Sequence, residues 1–368
     1  MQLLVTGATG FLGGAVLAEL AATPTWDAAR FMVRAADLAS AQVRLRETLA
    51  RFEVAPELVK RLHPRQIVLG DLADPDTIFE RADLSGVTHV INNGALATFG
   101  NHPRLWEINV EGSFRFIARL AEVARLSRFV HVGTAMCVGP DAPRPVPEDW
   151  PPAPDAHHLV PYTGTKIAIE EKLQRELPHL PLVRARPTIV VGHTRLGTRP
   201  SASIYWVFRS VQLLEKFMIA LDDRIDVVPV DWTARTLIEI ATRPTLKHDF
   251  YHLSAGPDMA STFRELDSAM ARGRGTEPRA AVYERIPAEG LDALIGTFRE
   301  RLGPCSPRIM LRALKLYGMF AALNMTFRND NLRDEGIQPP PPFASYAEVC
   351  AASAEASTVA EQMVADFK

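Results

Sequence analysis

Short apolar runs alternate with amphipathic stretches through the first half of the chain. The runs predict strands at 2–6, 30–34, 65–70, 87–92, 128–133 and 181–191. The stretches between them predict helices at 11–22, 38–51, 103–125 and 162–176. The strands are uniformly apolar rather than alternating, which is typical of a sheet covered on both faces. The pattern therefore predicts an α/β fold, a Rossmann-like doubly wound parallel sheet with right-handed crossovers.

The regular alternation fades after about residue 193. A helix at 203–220 precedes strand-like pieces at 225–230 and 249–254, and the remainder is mostly helical. We predict a Rossmann domain over 1–193, to which 225–256 returns. The segments 194–224 and 257–368 then form a smaller, mostly helical region that binds the substrate.

The first predicted strand runs directly into a glycine-rich loop and the first helix. Gly7 allows the turn off the strand, Gly10 lets the backbone approach a pyrophosphate, and Gly13 lets the helix pack against the strand. Amides at the start of the helix favour the bound anion. The loop predicts a dinucleotide site formed by Thr6, Gly7, Thr9, Gly10, Phe11, Leu12 and Gly13.

A tyrosine and a lysine lie four residues apart in the helix predicted at 162–176. Tyr162 and Lys166 therefore share a face, and the ammonium is expected to lower the tyrosine pKa. Such a tyrosine can exchange a proton with a carbonyl oxygen during hydride transfer. Thr134, at the end of the strand predicted at 128–133, adds a hydroxyl for the substrate oxygen.

These elements resemble the extended short-chain dehydrogenase/reductases over roughly the first 255 residues. The matches are TGATGFLGG at 6–14, Gly70-Asp71-Leu72, Asn92 to Ala95, Asn109 to Gly112, Thr134, Tyr162 with Lys166, and Arg186-Pro187. Three positions depart from the family pattern, namely Gly94, Gly133 and Val138.

The resemblance also implies the remaining contacts of a nicotinamide cofactor. It assigns Asp71 to the adenine, the run from Asn92 to Ala95 to the adenine side, and Lys166 to the nicotinamide ribose. The cofactor-binding residues expected in this way are Asp71, Leu72, Asn92, Gly94, Ala95, Asn109, Lys166, Pro187, Thr188 and Ile189. No metal is expected.

The end of the second strand bears on the choice between NAD and NADP. The strand ends at Arg34, and Arg44 follows in the next helix, so the adenosine ribose meets cations rather than an acid. This favours NADP over NAD. Asp37 is the counter-argument, because a longer strand would present its carboxylate to the ribose.

Within the family, several segments are similar to the thioester-reductase and fatty-acyl reductase (male-sterility-like) branch. They are Val33-Arg34-Ala35, Gln42 to Leu45, Ala95 to Phe99, Phe327 to Leu332 and Pro342 to Tyr346. The resemblance implies an NADPH-dependent reductase of a carrier-bound or small-molecule acyl thioester, or of a lipid-like aldehyde or ketone. Two alternatives stay open: an NAD-dependent nucleotide-sugar epimerase or dehydratase, which Arg195 and Arg199 would suit, and a non-catalytic NADP-binding scaffold or redox sensor.

Composition bears on the binding partners and on the location of the protein. A formal net charge of -2 argues against non-specific nucleic-acid binding. Cys137, Cys305 and Cys350 are interpreted as plain buried thiols, and the N-terminus lacks a signal-peptide pattern, so a cytoplasmic location is expected. The apolar stretch 309–327 favours a packed helix over contact with a membrane surface. The oligomeric state stays open.

Three further groups of polar residues are given structural interpretations. His157-His158 are interpreted as solvated loop residues in the Pro-rich segment 151–161, part of a loop over 140–161 that could act as a lid. His193 is a candidate for substrate contact or for capping. Asp231 is interpreted as part of a helix cap.

Overall fold

The computed structural model describes residues 1–98, 100–151 and 157–366. Its strands are β1 Leu3–Thr6, β2 Ala29–Val33, β3 Ile67–Leu69, β4 His89–Asn92, β5 Arg128–Val132, β6 Leu182–Pro187, β7 Ile189–Val190, β8 Lys216–Phe217, β9 Arg224–Ile225, β10 Val227–Val228, β11 Phe250–Leu253, β12 Ser261–Thr262 and β13 Glu284–Arg285.

Helices lie between and after these strands. They are α1 Phe11–Ala21, α2 Leu38–Arg51, α3 Pro56–Val59, α4 Asp76–Arg81, α5 Ser113–Val123, α6 Pro161–Glu176, α7 Tyr205–Leu214, α8 Val230–Thr242, α9 Phe263–Arg274, α10 Phe298–Leu302, α11 Pro307–Ala322, α12 Asp330–Asp334, α13 Phe343–Ser353 and α14 Val359–Asp366.

Seven parallel strands form the central sheet, in the order β11-β6-β5-β4-β1-β2-β3. This confirms the predicted doubly wound parallel sheet. The chain leaves β1 towards β2 and β3 on one side, and then continues from β4 towards β11 on the other. The order therefore reverses between β1 and β4, which is where ligands bind in such folds.

Alternate residues of the strands face opposite sides of the sheet, and helices cover both sides. Leu3 and Val5 of β1 belong to one hydrophobic core, which includes residues of α1, α2 and α8. Leu4 belongs to a second core on the opposite face, with Phe116 of α5 and Ile169 of α6. Every one of these side chains is almost fully buried, which explains the uniformly apolar strands.

The second half of the chain adds one strand to the sheet and then builds its own core. Strand β11 pairs with β6 in parallel. A separate hydrophobic cluster joins residues of α7, α9, α11, α13 and α14. Asp226 connects the two parts: its buried carboxylate accepts hydrogen bonds from Thr188 Oγ1, Ser254 Oγ and the amides of Ala255 and Phe327.

The structure corrects three sequence-based boundaries. The helix expected at 203–220 ends at Leu214, because Glu215 adopts a left-handed conformation (φ 59°) and β8 follows. The segment 103–125 contains a π-helical stretch at Glu107–Gly112. The strand expected at 181–191 divides after Pro187, and β7 leaves the main sheet to pair with β10. None of the described helices combines the length and apolar character needed to cross a membrane.

Candidate active site

A cleft of about 820 Å³ lies at the point where the strand order reverses. It brings together most of the residues singled out in the sequence. Those lining it are Gly7, Thr9, Gly10, Phe11, Leu12, Arg34, Arg44, Asp71, Leu72, Gly94, Ala95, Thr134, Tyr162, Lys166, Pro187, Thr188 and Ile189.

The glycine loop has the tight geometry that a pyrophosphate requires. Gly7 lies in the left-handed region (φ 69°), and its carbonyl accepts from the Gly10 amide at 3.0 Å. A Cβ on Gly13 would lie 2.1 Å from the Gly7 oxygen, so only glycine allows this approach. Helix α1 begins after Gly10, which has no side chain to cap the first-turn amides. The loop therefore fits a phosphate group.

Four predicted cofactor residues, Thr6, Gly13, Asn92 and Asn109, do not line the cleft but support its wall. Thr6 Oγ1 donates to Asn92 Oδ1 at 2.9 Å and accepts from the Gly94 amide at 2.8 Å. Asn109 bonds both backbone groups of Leu96, at 2.7 and 3.1 Å. The side chains of Thr6, Asn92 and Asn109 fix the loop after β4, so they act on a cofactor only through that loop. Gly13 instead allows the close approach to Gly7.

Three arginines gather where β2 ends. Arg34, Arg44 and Arg51 all line the cleft, and Arg44 donates to the Arg34 carbonyl. Arg51 Nη2 donates to the Thr9 carbonyl at 3.0 Å. Arg51 was not among the predicted cofactor residues, although its spacing of seven from Arg44 places both on one face of α2. The cluster could bind a second phosphate group.

Asp37, the acidic residue that argued against NADP, has another role. Asp37 is the N-cap of α2, and its Oδ1 accepts from the Ser40 amide at 2.7 Å. It is exposed and does not line the cleft. The counter-argument from a longer strand is therefore not supported by the position of this carboxylate.

The three proposed catalytic residues come from two adjacent elements. Tyr162 and Lys166 lie in the first turns of α6, and Thr134 follows β5. Lys166 Nζ donates to the Val132 carbonyl at 2.7 Å and lies 6.0 Å from the centre of the Tyr162 ring. Thr134 Oγ1 accepts from the Met136 amide at 3.3 Å, which leaves its own hydrogen for a ligand.

Burial dominates the proton affinities of this pair. It raises the pKa of Tyr162 to about 12 and lowers the pKa of Lys166 to about 8. The expectation that Lys166 lowers the tyrosine pKa is therefore wrong, because removal from water outweighs the neighbouring charge. A phenol that stays protonated at neutral pH can nevertheless donate a proton.

A buried ion pair lies behind this site and explains one departure from the family pattern. Arg186 Nη2 lies 2.6 Å from Glu170 Oε2. A Cβ on Gly133 would lie 2.2 Å from Glu170 Oε1, so the carboxylate occupies the space that any side chain at this position would need. The departure at Val138 also has a structural explanation, because this side chain packs in an apolar cluster with Phe327.

The cysteines show no sign of reactivity in the site. Cys137 and Cys350 are buried, and burial raises the pKa of Cys137 to about 12. Cys305 is only partly buried, in contrast to the prediction. A nucleophilic thiol at Cys137 is therefore disfavoured.

Beyond Tyr162 the cleft continues into an apolar channel between α7 and α11. Both helices contribute side chains to its wall. The channel residues are Ile204, Val207, Phe208, Val211, Phe217, Ile225, Phe263, Tyr317, Phe320, Ala321, Ala365 and Asp366.

Several other sequence candidates lie outside the cleft. His193 Nδ1 accepts from the amides of Arg195 and Leu196, which is a capping role. Arg195 and Arg199 pair with Glu53 at 3.5 and 2.8 Å rather than facing the cleft. They therefore provide no clamp for a nucleotide-sugar diphosphate.

Asp231 does not cap its own helix, as had been expected. Pro229 is the N-cap of α8, and the Asp231 carboxylate instead accepts from the amide and hydroxyl of Thr194 at 3.0 and 2.7 Å. The interpretation of Asp231 as a cap is therefore wrong, and its hydrogen bonds join α8 to the segment after β7.

The paired histidines precede α6. The His158 ring is hydrogen-bonded to Thr163 Oγ1 at 3.1 Å. Within 1–98, 100–151 and 157–366, no three His, Cys, Asp or Glu side chains gather as a metal site. Residues 152–156 of the Pro-rich segment lie outside the described residues, and so does Phe99. The loop over 140–161 that was suggested as a lid is therefore described only in part.

Comparisons with known proteins identify the family and relatives of the chain. A family model described as "Male sterility protein" matches residues 5–237. The chain is 26% identical over 338 residues to the non-canonical nonribosomal peptide synthetase hkm10 of Aspergillus hancockii, covering 86% of this chain and 32% of that protein. It is also 26% identical to the aldehyde reductase lnaA of Aspergillus flavus, covering 84% and 31%. The chain thus spans about a third of the length of these relatives.

Solved structures share the fold. The terminal R domain of the myxalamid PKS-NRPS pathway superposes with a TM-score of 0.73 at 24% identity, covering 96% of this chain and 90% of that one. A thiolation-reductase di-domain from an archaeal non-ribosomal peptide synthetase gives 0.66 at 17% identity, covering 96% and 89%. Because the family model covers more than half of the sequence, this chain belongs to the Male sterility protein family of extended short-chain dehydrogenase/reductases.

Proposed function

We propose that this protein uses NADPH to reduce an acyl thioester to the aldehyde. The observation that carries the proposal is one continuous cleft. It is lined by an arginine cluster at the end of β2, by Thr134, Tyr162 and Lys166, and by an apolar channel. This combination suits a phosphorylated cofactor, a polarised carbonyl and an acyl chain.

The residues present fit the cofactor. The glycine loop suits the pyrophosphate, and Arg34, Arg44 and Arg51 offer guanidinium groups to a 2′-phosphate. When bound, NADPH supplies the hydride. Pro187, Thr188 and Ile189, which the resemblance assigns to cofactor binding, also line the cleft.

The protein's own side chains manage the charge that develops on the carbonyl oxygen. Thr134 donates a hydrogen bond to that oxygen, and Tyr162 transfers its phenolic proton to it as hydride reaches the carbon. Lys166, held by the Val132 carbonyl, stabilises the resulting phenolate by its charge. The fixed donors need little rearrangement during the step.

The product of this step is a hemithioacetal. Its collapse forms the aldehyde C=O bond and breaks the C–S bond, and the thiol leaves with one proton. The balance is one acyl thioester, one NADPH and one proton consumed, with one aldehyde, one thiol and one NADP⁺ formed. The raised pKa of Tyr162 keeps its proton in place before reduction.

Two similar proteins support a carrier-bound substrate. The solved di-domain joins a reductase to a thiolation domain, and the relative hkm10 is named a non-canonical nonribosomal peptide synthetase. We propose that this chain likewise accepts an acyl group presented as a thioester on a carrier, with a free pantetheine thioester as a minimal substitute.

The sequence-based alternatives have weaker support. An epimerase or dehydratase would need a diphosphate clamp, and Arg195 and Arg199 are paired with Glu53 outside the cleft. A non-catalytic scaffold has no use for a buried lysine beside a tyrosine within the cofactor cleft.

One assay separates these possibilities. NADPH absorbance is followed in parallel with acyl-pantetheine thioesters, aldehydes, ketones and nucleotide sugars. We expect oxidation of NADPH with thioesters, and release of thiol in equal amount. Conversion of a nucleotide sugar with no net change in cofactor absorbance, detected by analysis of the sugar product in the presence of NAD, would support the epimerase alternative. Tight NADPH binding without conversion of any substrate would support the scaffold.

A further inference from the structure

Among the described residues of the apolar channel, the acidic side chain is Asp366 of α14. Its Oδ2 accepts from Trp206 Nε1 and from Tyr317 Oη, both at 3.1 Å. Trp206 is completely buried and Tyr317 nearly so. The carboxylate is thus held in a fixed position in the wall of the cleft that also contains Tyr162.

The described part of the channel is otherwise apolar around this carboxylate. Among the described residues that line the cleft, the other charged side chains are Arg34, Arg44, Arg51, Asp71 and Lys166, which belong to the cofactor and catalytic parts. The two bonds to Asp366 come from neutral donors. An ionised carboxylate in an apolar wall is costly without a counter-charge.

A ligand can supply that counter-charge. The two hydrogen bonds engage Oδ2, and a carboxylate has further lone pairs for additional donors. An ammonium group on the ligand would donate hydrogen bonds to the carboxylate and balance its charge. A hydroxyl group would only donate a hydrogen bond, and a methyl-ended chain would supply neither interaction.

On the basis of the proposed function, we propose that Asp366 is a specificity residue that selects acyl thioesters whose chain ends in an ammonium group. The apolar walls accommodate the methylene chain and Asp366 binds its end. Burial raises the pKa of Asp366, so a bound cation would stabilise the ionised carboxylate.

The test compares two series of pantetheine thioesters, ω-aminoacyl and methyl-ended, matched over a range of chain lengths. At the optimal length we expect kcat/KM to be roughly ten- to a hundredfold higher for the ammonium-ended substrate. In Asp366→Asn this ratio should fall towards one. In Tyr317→Phe, which keeps the carboxylate, the ratio should stay above one.

A second variant keeps the proposal testable if Asp366→Asn does not fold. Asp366→Glu has a longer side chain, and we expect its optimum to move to a shorter ω-aminoacyl chain. A wild-type preference for methyl-ended chains would overturn this proposal alone. Equal loss for both series in Asp366→Asn would also overturn it, because the residue would then act on the shared thiol arm or on folding. Failure to reduce either series would overturn the proposed function as well.

Discussion

Arg186 and Glu170 form a two-point ion pair directly behind the proposed catalytic residues. Arg186 Nη2 lies 2.6 Å from Glu170 Oε2, and Arg186 Nε lies 3.0 Å from the same oxygen. The side chains are only 3% and 1% exposed. Because Glu170 follows Lys166 by one helical turn, the pair fixes the catalytic face of α6 against β6.

Breaking this pair should destabilise the fold strongly. We expect Glu170→Gln to lower the free energy of unfolding by about 3–5 kcal/mol, since it leaves the Arg186 charge buried without its partner. Urea unfolding measures this loss. The adjacent exposed Glu171→Gln is the matched control and should change stability by less than about 0.5 kcal/mol. Equal effects of the two changes would contradict the structural role of the pair.

Gly133 should tolerate no larger residue. A Cβ there would lie 2.2 Å from Glu170 Oε1, so we expect Gly133→Ala to cost about 1–3 kcal/mol of stability. Gly296→Ala serves as the control, because no atom lies within 4 Å of its added Cβ. The cost of Gly133→Ala should shrink in a Glu170→Ala background. A cost that is the same in both backgrounds would show that the clash is not with the carboxylate.

The arginine cluster should determine the preference for NADPH. Replacing Arg34 or Arg51 by alanine should weaken NADPH binding roughly ten- to a hundredfold, with NADH affected much less, because a charged hydrogen bond to the 2′-phosphate is lost. Fluorescence titration gives both dissociation constants. Arg119→Ala removes an exposed arginine paired with Glu122 and should change neither value. Parallel losses for NADPH and NADH would refute the assignment.

Lys166 should set the alkaline limit of reduction. Its pKa of about 8 means that the ammonium is present below pH 8 and lost as the pH rises through that value. Tyr162, with a pKa raised to about 12, keeps its proton throughout this range. We therefore expect single-turnover reduction to be constant at neutral pH and to fall above about pH 8. In Lys166→Arg the positive charge persists above pH 8, so the remaining activity should not fall with rising pH. A decline of this variant at the same pH would show that a group other than Lys166 sets the alkaline limit.

The sequence predicted those features that depend on local pattern. The parallel sheet followed from apolar runs, and the glycine loop and the spacing of Tyr162 and Lys166 indicated the cleft. What it missed depends on tertiary packing. The raised pKa of Tyr162 arises from its burial in the folded chain. Asp366 lines the cleft although it lies about 200 residues after Tyr162, in α14. Arg51 could have been predicted from the sequence, since it lies on the same face of α2 as Arg44.

The most direct test of the account is reduction of an acyl-pantetheine thioester by wild-type protein and by Tyr162→Phe. The wild type should release one thiol and form one aldehyde for each NADPH oxidised. Tyr162→Phe should lose roughly a hundred- to ten-thousandfold in single-turnover rate, with NADPH affinity unchanged. Undiminished reduction by Tyr162→Phe, or NADPH binding by the wild type without any thioester turnover, would contradict the account.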